Sequence, residues 1–119
     1  MFTTRIVFES SQAENIFSAT SPNLDNPDLV QLVDQSGAQV VFKRSGIEYF
    51  ELSSDAPSPS QPVVAQGVLY FSNGMGPVAL SVTSFPDITQ KWFVVTSFSG
   101  PPRYYNSDII SGFRLTKIG

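Results

Sequence analysis

No cysteine and no histidine occur anywhere in this sequence. The first absence excludes disulfides, thiolate metal sites, iron–sulfur ligation and cysteine nucleophiles, and the second removes the usual general base and the commonest transition-metal ligand. Most familiar hydrolase chemistries go with them. Charge is scarce as well, at 14% of 119 residues, and no apolar run approaches the roughly 20 residues that a membrane-spanning helix needs. Seven basic residues against ten acidic ones leave a net charge of −3, and the basic residues are scattered. A protein that grips a phosphate backbone carries a clustered basic footprint, so neither a nucleic-acid nor a membrane partner is expected. Lys43-Arg44, the one adjacent basic pair, stands near Glu48 and Glu51 and reads as a solvated strand end. Met1-Phe2-Thr3-Thr4-Arg5 lacks the charged and apolar regions of a signal peptide, so a soluble protein made in a cytoplasm is expected.

Residues that favour helices are also few. Six Ala and seven Leu face 12 Val, 7 Ile, 10 Phe, 7 Thr, 4 Tyr and 1 Trp, and nine Pro and eight Gly punctuate the short apolar runs. This is the pattern of an all-β chain. The expected fold is a single domain over 1–119, an antiparallel β-sandwich or barrel of jelly-roll or immunoglobulin-like size with about eight strands. Solubility is carried by 17 Ser and 7 Thr more than by ions. Such a surface is easily buried against another protein, because little charge has to be desolvated.

Phe2 to Phe8 alternates as a half-buried strand. Ser10 to Asp28 is polar and irregular, and only the pair Ile16-Phe17 has a clear reason to lie inside. Leu29–Gln35 and Ala38–Arg44 flank Ser36-Gly37 and predict a hairpin, which Ile47–Leu52 extends into a three-stranded meander over 29–52. Pro57, Pro59 and Pro62 make 53–62 an extended surface connection between the two sheets of a sandwich. Val63–Phe71 and Val78–Phe85, joined through Asn73-Gly74, predict a second hairpin within the strands of 63–118. Lys91–Phe98 is apolar on both faces and is expected to run centrally, with Trp92 in the core. Ile109–Ile118 closes the chain as a long strand with a bulge near Gly112. No repeat of fixed period is legible.

Without His or Cys, paired carboxylates are the main remaining acid/base option. Glu48 and Glu51 lie three apart on a strand, so alternation points them to opposite faces and no general acid/base pair forms. A non-enzymatic protein without catalytic residues, cofactor or metal is expected. Asp25 and Asp28 in Asn23-Leu24-Asp25-Asn26-Pro27-Asp28 supply oxygen ligands that a hard cation would accept, yet proline-containing Asx turns have the same composition. Met75 at the Gly74-Met75-Gly76 tip is placed to plug into a neighbour. Arg103-Tyr104-Tyr105, stiffened by Pro101-Pro102, combines residue types enriched in interface hot spots and in sugar platforms. The alternative reading has the tyrosines capping one end of the core. Ten phenylalanines in so short a chain leave apolar surface over, as in an assembly subunit.

The whole composition, with its Ser/Thr/Pro-rich connections and phrases such as Gly67-Val68-Leu69-Tyr70-Phe71-Ser72-Asn73-Gly74, resembles small accessory proteins of bacteriophage particles. These include capsid decoration (cement) proteins and fibre or tail modules. The resemblance implies a non-enzymatic virion protein, a homo-oligomer docking on capsid or tail proteins of the same particle. Phe2, Met75, Arg103, Tyr104 and Tyr105 are the contact candidates. Gly112-Phe113-Arg114-Leu115 is also similar to the last strand of some lectin-like domains, and a carbohydrate- or ligand-binding β module using the Tyr104-Tyr105 loop is the alternative.

Overall fold

β-branched and aromatic residues alternating over short segments form ten strands in the computed structural model, which describes residues 2–10, 12–54, 61–97 and 100–118. Every strand pairing within the units described below is antiparallel, and no α-helix occurs among the described residues. The chain divides into two compact units, Met1–Ser58 and Pro59–Gly119, where the sequence reading has one domain.

In the first unit β1 (Phe2–Phe8) lies between β2 (Ala13–Ala19) and β5 (Ile47–Ser54). A central strand is covered on both edges, and Thr4 and Ile6 on it are wholly buried. β3 (Leu29–Val33) and β4 (Gln39–Lys43) form the expected hairpin. Its turn is set by Asp34, whose Oδ1 accepts from the Ser36 and Ala38 N–H groups and the Ser36 hydroxyl, and by Gly37 at φ 86°. Phe8 of β1 meets Phe42 of β4 edge to face at 5.2 Å, joining the hairpin to the sheet. Ile6, Ile16, Ala19, Val30, Leu32, Ile47 and Phe50 make the core.

In the second unit β6 (Ala65–Phe71) lies between β7 (Val78–Val82) and β10 (Ile110–Lys117), while β8 (Trp92–Val95) pairs with β9 (Arg103–Asn106). Phe93 of β8 packs on Phe113 of β10 at 5.5 Å, and Phe71 of β6 on Tyr105 of β9 at 5.6 Å. The fold class is thus the expected antiparallel all-β one, with ten strands among the described residues.

Several expectations are corrected. β5 leaves the hairpin and pairs with β1, so 29–52 is not a meander: the 3-10 turn at Arg44–Gly46 carries the chain away from β4. β8 is twice covered, with Trp92, Phe93 and Val95 buried, yet within its unit it pairs on one side, with β9, instead of running centrally among the described strands. Arg44 is buried, not solvated. Its N–H donates to the Asp28 carbonyl at 2.8 Å and its guanidinium stands 3.4 Å from the Asp28 carboxylate. The bulge expected near Gly112 is present, with Ser111 as the extra residue between Ile110 and Gly112. Positions 55–60 of the proline-rich connection lie outside the described residues.

Candidate functional site

Strand alternation decides the fate of the tyrosine pair. Tyr105 opposes Phe93 across β8–β9 and points inward, where it is 2% exposed against Phe71. Tyr104, one residue back, takes the other face of β9. The two phenols therefore cannot form one flat sugar platform, and Tyr105 is corrected from a contact candidate to a core residue. Its hydroxyl still needs a partner, which Arg103 supplies: Nη1 donates to the Tyr105 oxygen at 2.9 Å, and the guanidinium carbon stands 5.7 Å from the ring centroid. Arg103 and Tyr104 are half-buried, and burial pushes the Tyr104 phenol above its ordinary value of 10.0.

Met75 sits in the turn between β6 and β7, where Gly74 has φ 85° and the Met75 N–H donates to Asn73 Oδ1 at 3.2 Å. Its side chain is half-buried, not fully offered to a neighbour. Phe2 begins β1, paired to Ala19 on one side and Ser54 on the other, and is also half-buried.

Asp25 and Asp28 belong to consecutive Asx turns. Asn23 Oδ1 accepts from the Asp25 N–H at 2.8 Å and Asn26 Oδ1 from the Asp28 N–H at 3.1 Å, while the Asp28 carboxylate faces Arg44. No group of three or more acidic side chains able to hold a metal occurs among the described residues. Glu51 stands 3.9 Å from Arg5, and Glu48 is the buried extra residue of a bulge between Ile47 and Tyr49. Glu48 and Phe50 are buried while Tyr49 and Glu51 are half-buried, the alternation that the sequence predicts for the two carboxylates.

The structure places other apolar side chains in solvent. Phe85 is 55% exposed and Ile88 42% exposed, three residues apart on the loop from β7 to β8. That loop is held by bonds to Thr96, which follows β8, and by an Asx turn of its own. The Thr83 N–H donates to the Thr96 carbonyl at 2.9 Å, the Thr83 hydroxyl to the Thr96 hydroxyl at 2.8 Å, and Ser84 shares a bond with Thr96 at 3.1 Å. Asp87 Oδ1 accepts from the Thr89 N–H and hydroxyl at 2.9 and 2.6 Å, which holds its carboxyl below the usual 3.8.

Phe17, expected inside, is 58% exposed. Along β1 the partners run Phe2↔Ala19 and then Thr4↔Ile16, so Phe17 and Ser18 together oppose Thr3. This bulge leaves Ile16 buried and turns Phe17 outward. Pro86-Asp87 is a strand-breaking pair, and the aromatic before it with Ile88 after it is the local signal for this apolar loop. For Phe17 no local signal existed, because the bulge depends on pairing.

Comparison with protein-family models, with curated protein sequences and with solved structures finds no match for the chain.

Proposed function

We propose that this protein is a non-enzymatic structural component of a virus particle, docking on a capsid or tail lattice and stabilising it through protein–protein contacts. The observation that carries the reading is Phe85 and Ile88, two large apolar side chains exposed on a loop braced by hydroxyl and Asx hydrogen bonds. An ordered loop loses little entropy when it is covered, so apolar area buried there goes mostly into binding. Phe17 adds a second exposed aromatic on the bulged strand. A surface with so little charge presents few groups that are costly to desolvate. The resemblance to bacteriophage accessory proteins supplies the particle, and repetition of weak contacts over a lattice supplies avidity. Self-association into a homo-oligomer belongs to the same proposal.

The carbohydrate-binding alternative loses its platform, since Tyr104 and Tyr105 face opposite ways and Tyr105 is buried. The test is co-sedimentation with intact particles of the virus that encodes the protein, together with light scattering over a concentration series. Saturable binding, reduced at least tenfold by the double change Phe85→Ser with Ile88→Ser, is expected. A protein that stays monomeric and leaves particles unlabelled overturns the proposal.

A further inference from the structure

The two units follow one plan. Strand, strand, hairpin, 3-10 turn, strand occurs twice, with β1, the turn at Arg44–Gly46 and β5 recurring 63 positions on as β6, the turn at Ser107–Ile109 and β10. The agreement extends to single residues. Phe2↔Ser54, Ile6↔Phe50 and Val7↔Tyr49 correspond to Ala65↔Lys117, Leu69↔Phe113 and Tyr70↔Gly112. In the hairpins, Leu29↔Lys43 and Val30↔Phe42 correspond to Trp92↔Asn106 and Phe93↔Tyr105. Even the irregularities match, since the extra residue of the bulge is Glu48 in one unit and Ser111 in the other.

Connecting hydrogen bonds repeat as well. Thr20 N–H to the Val33 carbonyl (3.0 Å) returns as Thr83 to Thr96 (2.9 Å), Arg44 to Asp28 (2.8 Å) as Ser107 to Lys91 (3.0 Å), and Glu9 to Gly46 (3.2 Å) as Ser72 to Ile109 (2.8 Å). The ring pair Phe8–Phe42 returns as Phe71–Tyr105. Antiparallel pairing by itself does not impose a common offset on registers, bulges and loop bonds at once, so chance convergence is a poor account of the match.

We infer that the chain is two copies of one five-stranded module joined head to tail, each folding as its own cooperative unit, with outer surfaces that have diverged. Divergence is visible at matched positions. Phe17 is 58% exposed where Leu80 is 7% exposed, and Tyr70 is 43% exposed where Val7 is 7% exposed. The framework is shared and the exposed apolar side chains are not, so the copies offer two different contacts, not one contact twice.

Ile47 and Ile110 are identical residues at matched buried positions and provide the test. Hydrogen exchange of the full chain is followed in rising denaturant for the wild type, Ile47→Val and Ile110→Val. The expected result is two sets of amides, those of β1–β5 converging on one opening rate and those of β6–β10 on another. Ile47→Val then speeds exchange about 2- to 10-fold in the first set alone, and Ile110→Val does so in the second alone. A single opening for all ten strands, or either variant accelerating both sets, overturns the inference, and the wild-type measurement decides it even if a variant fails to fold.

Discussion

Gly67 of β6 approaches Arg114 of β10 so closely that a Cβ at position 67 would lie 1.7 Å from the Arg114 carbonyl oxygen. The neighbouring atoms are backbone, which cannot swing aside, so any side chain forces the two strands apart. Thr4 holds the matched position of the first unit and is wholly buried, so the close approach is a property of the second sheet. Gly67→Ala is expected to destabilise the protein by about 1–3 kcal/mol. Denaturant unfolding measures this, and hydrogen exchange should place the loss in β6, β7 and β10.

Matched positions on the second strand of each unit should respond unequally. Leu80→Ala removes a buried side chain and is expected to cost about 2–4 kcal/mol. Phe17→Ala removes an exposed one and should lie within about 0.5 kcal/mol of wild type. Equal losses at the two positions in chemical denaturation would contradict the bulge that turns Phe17 outward.

Tyr105→Ala empties a buried site and should cost about 3–5 kcal/mol, whereas Tyr105→Phe removes only the hydroxyl that accepts from Arg103 and should cost about 0.5–1.5 kcal/mol. Tyr104 titrates above 10.0 because burial disfavours its phenolate. A phenol value raised by folding contributes stability below the unfolded value of 10.0, and that contribution is lost as pH rises through the folded one. Ultraviolet titration of the wild type against Tyr104→Phe checks the assignment.

Asp34 has its carboxyl lowered from 3.8, chiefly by the Ser36 hydroxyl and next by the Ala38 N–H, and Asp87 is lowered chiefly by the Thr89 hydroxyl and then its N–H. A depressed folded value contributes stability that is full above 3.8 and lost as pH falls through the folded value. Asp34→Asn combined with Asp87→Asn is therefore expected to flatten the fall of the melting temperature between neutral pH and the acid side of 3.8. Calorimetry of wild type and double variant over that range makes the comparison.

Local chemistry made part of this molecule legible in advance. Ser36-Gly37 and Asn73-Gly74 mark both hairpin turns because their conformations need residues of that type, and Gly37 and Gly74 do have positive φ. The core placement of Trp92 follows from a run apolar on both faces. The candidate contacts were less legible. Arg103, Tyr104 and Tyr105 carry interface-like chemistry in any context, and only their order on β9 sends Tyr105 inward.

The duplication shows where sequence reading stops. At the 63-residue offset Phe8 and Phe71, Thr20 and Thr83, Ile47 and Ile110, Phe50 and Phe113, and Leu52 and Leu115 are identical, while most other positions differ. A β module tolerates such divergence because alternation and approximate volume suffice to fill its core. Composition and period-two patterning therefore determined the all-β class, the hairpins and the lack of Cys or His chemistry. Partner strands, bulges, the burial of Arg44 and Tyr105 and the exposure of Phe17 were decided by tertiary structure, since each depends on which distant segment lies opposite, and shifting that pairing by one residue exchanges inside for outside.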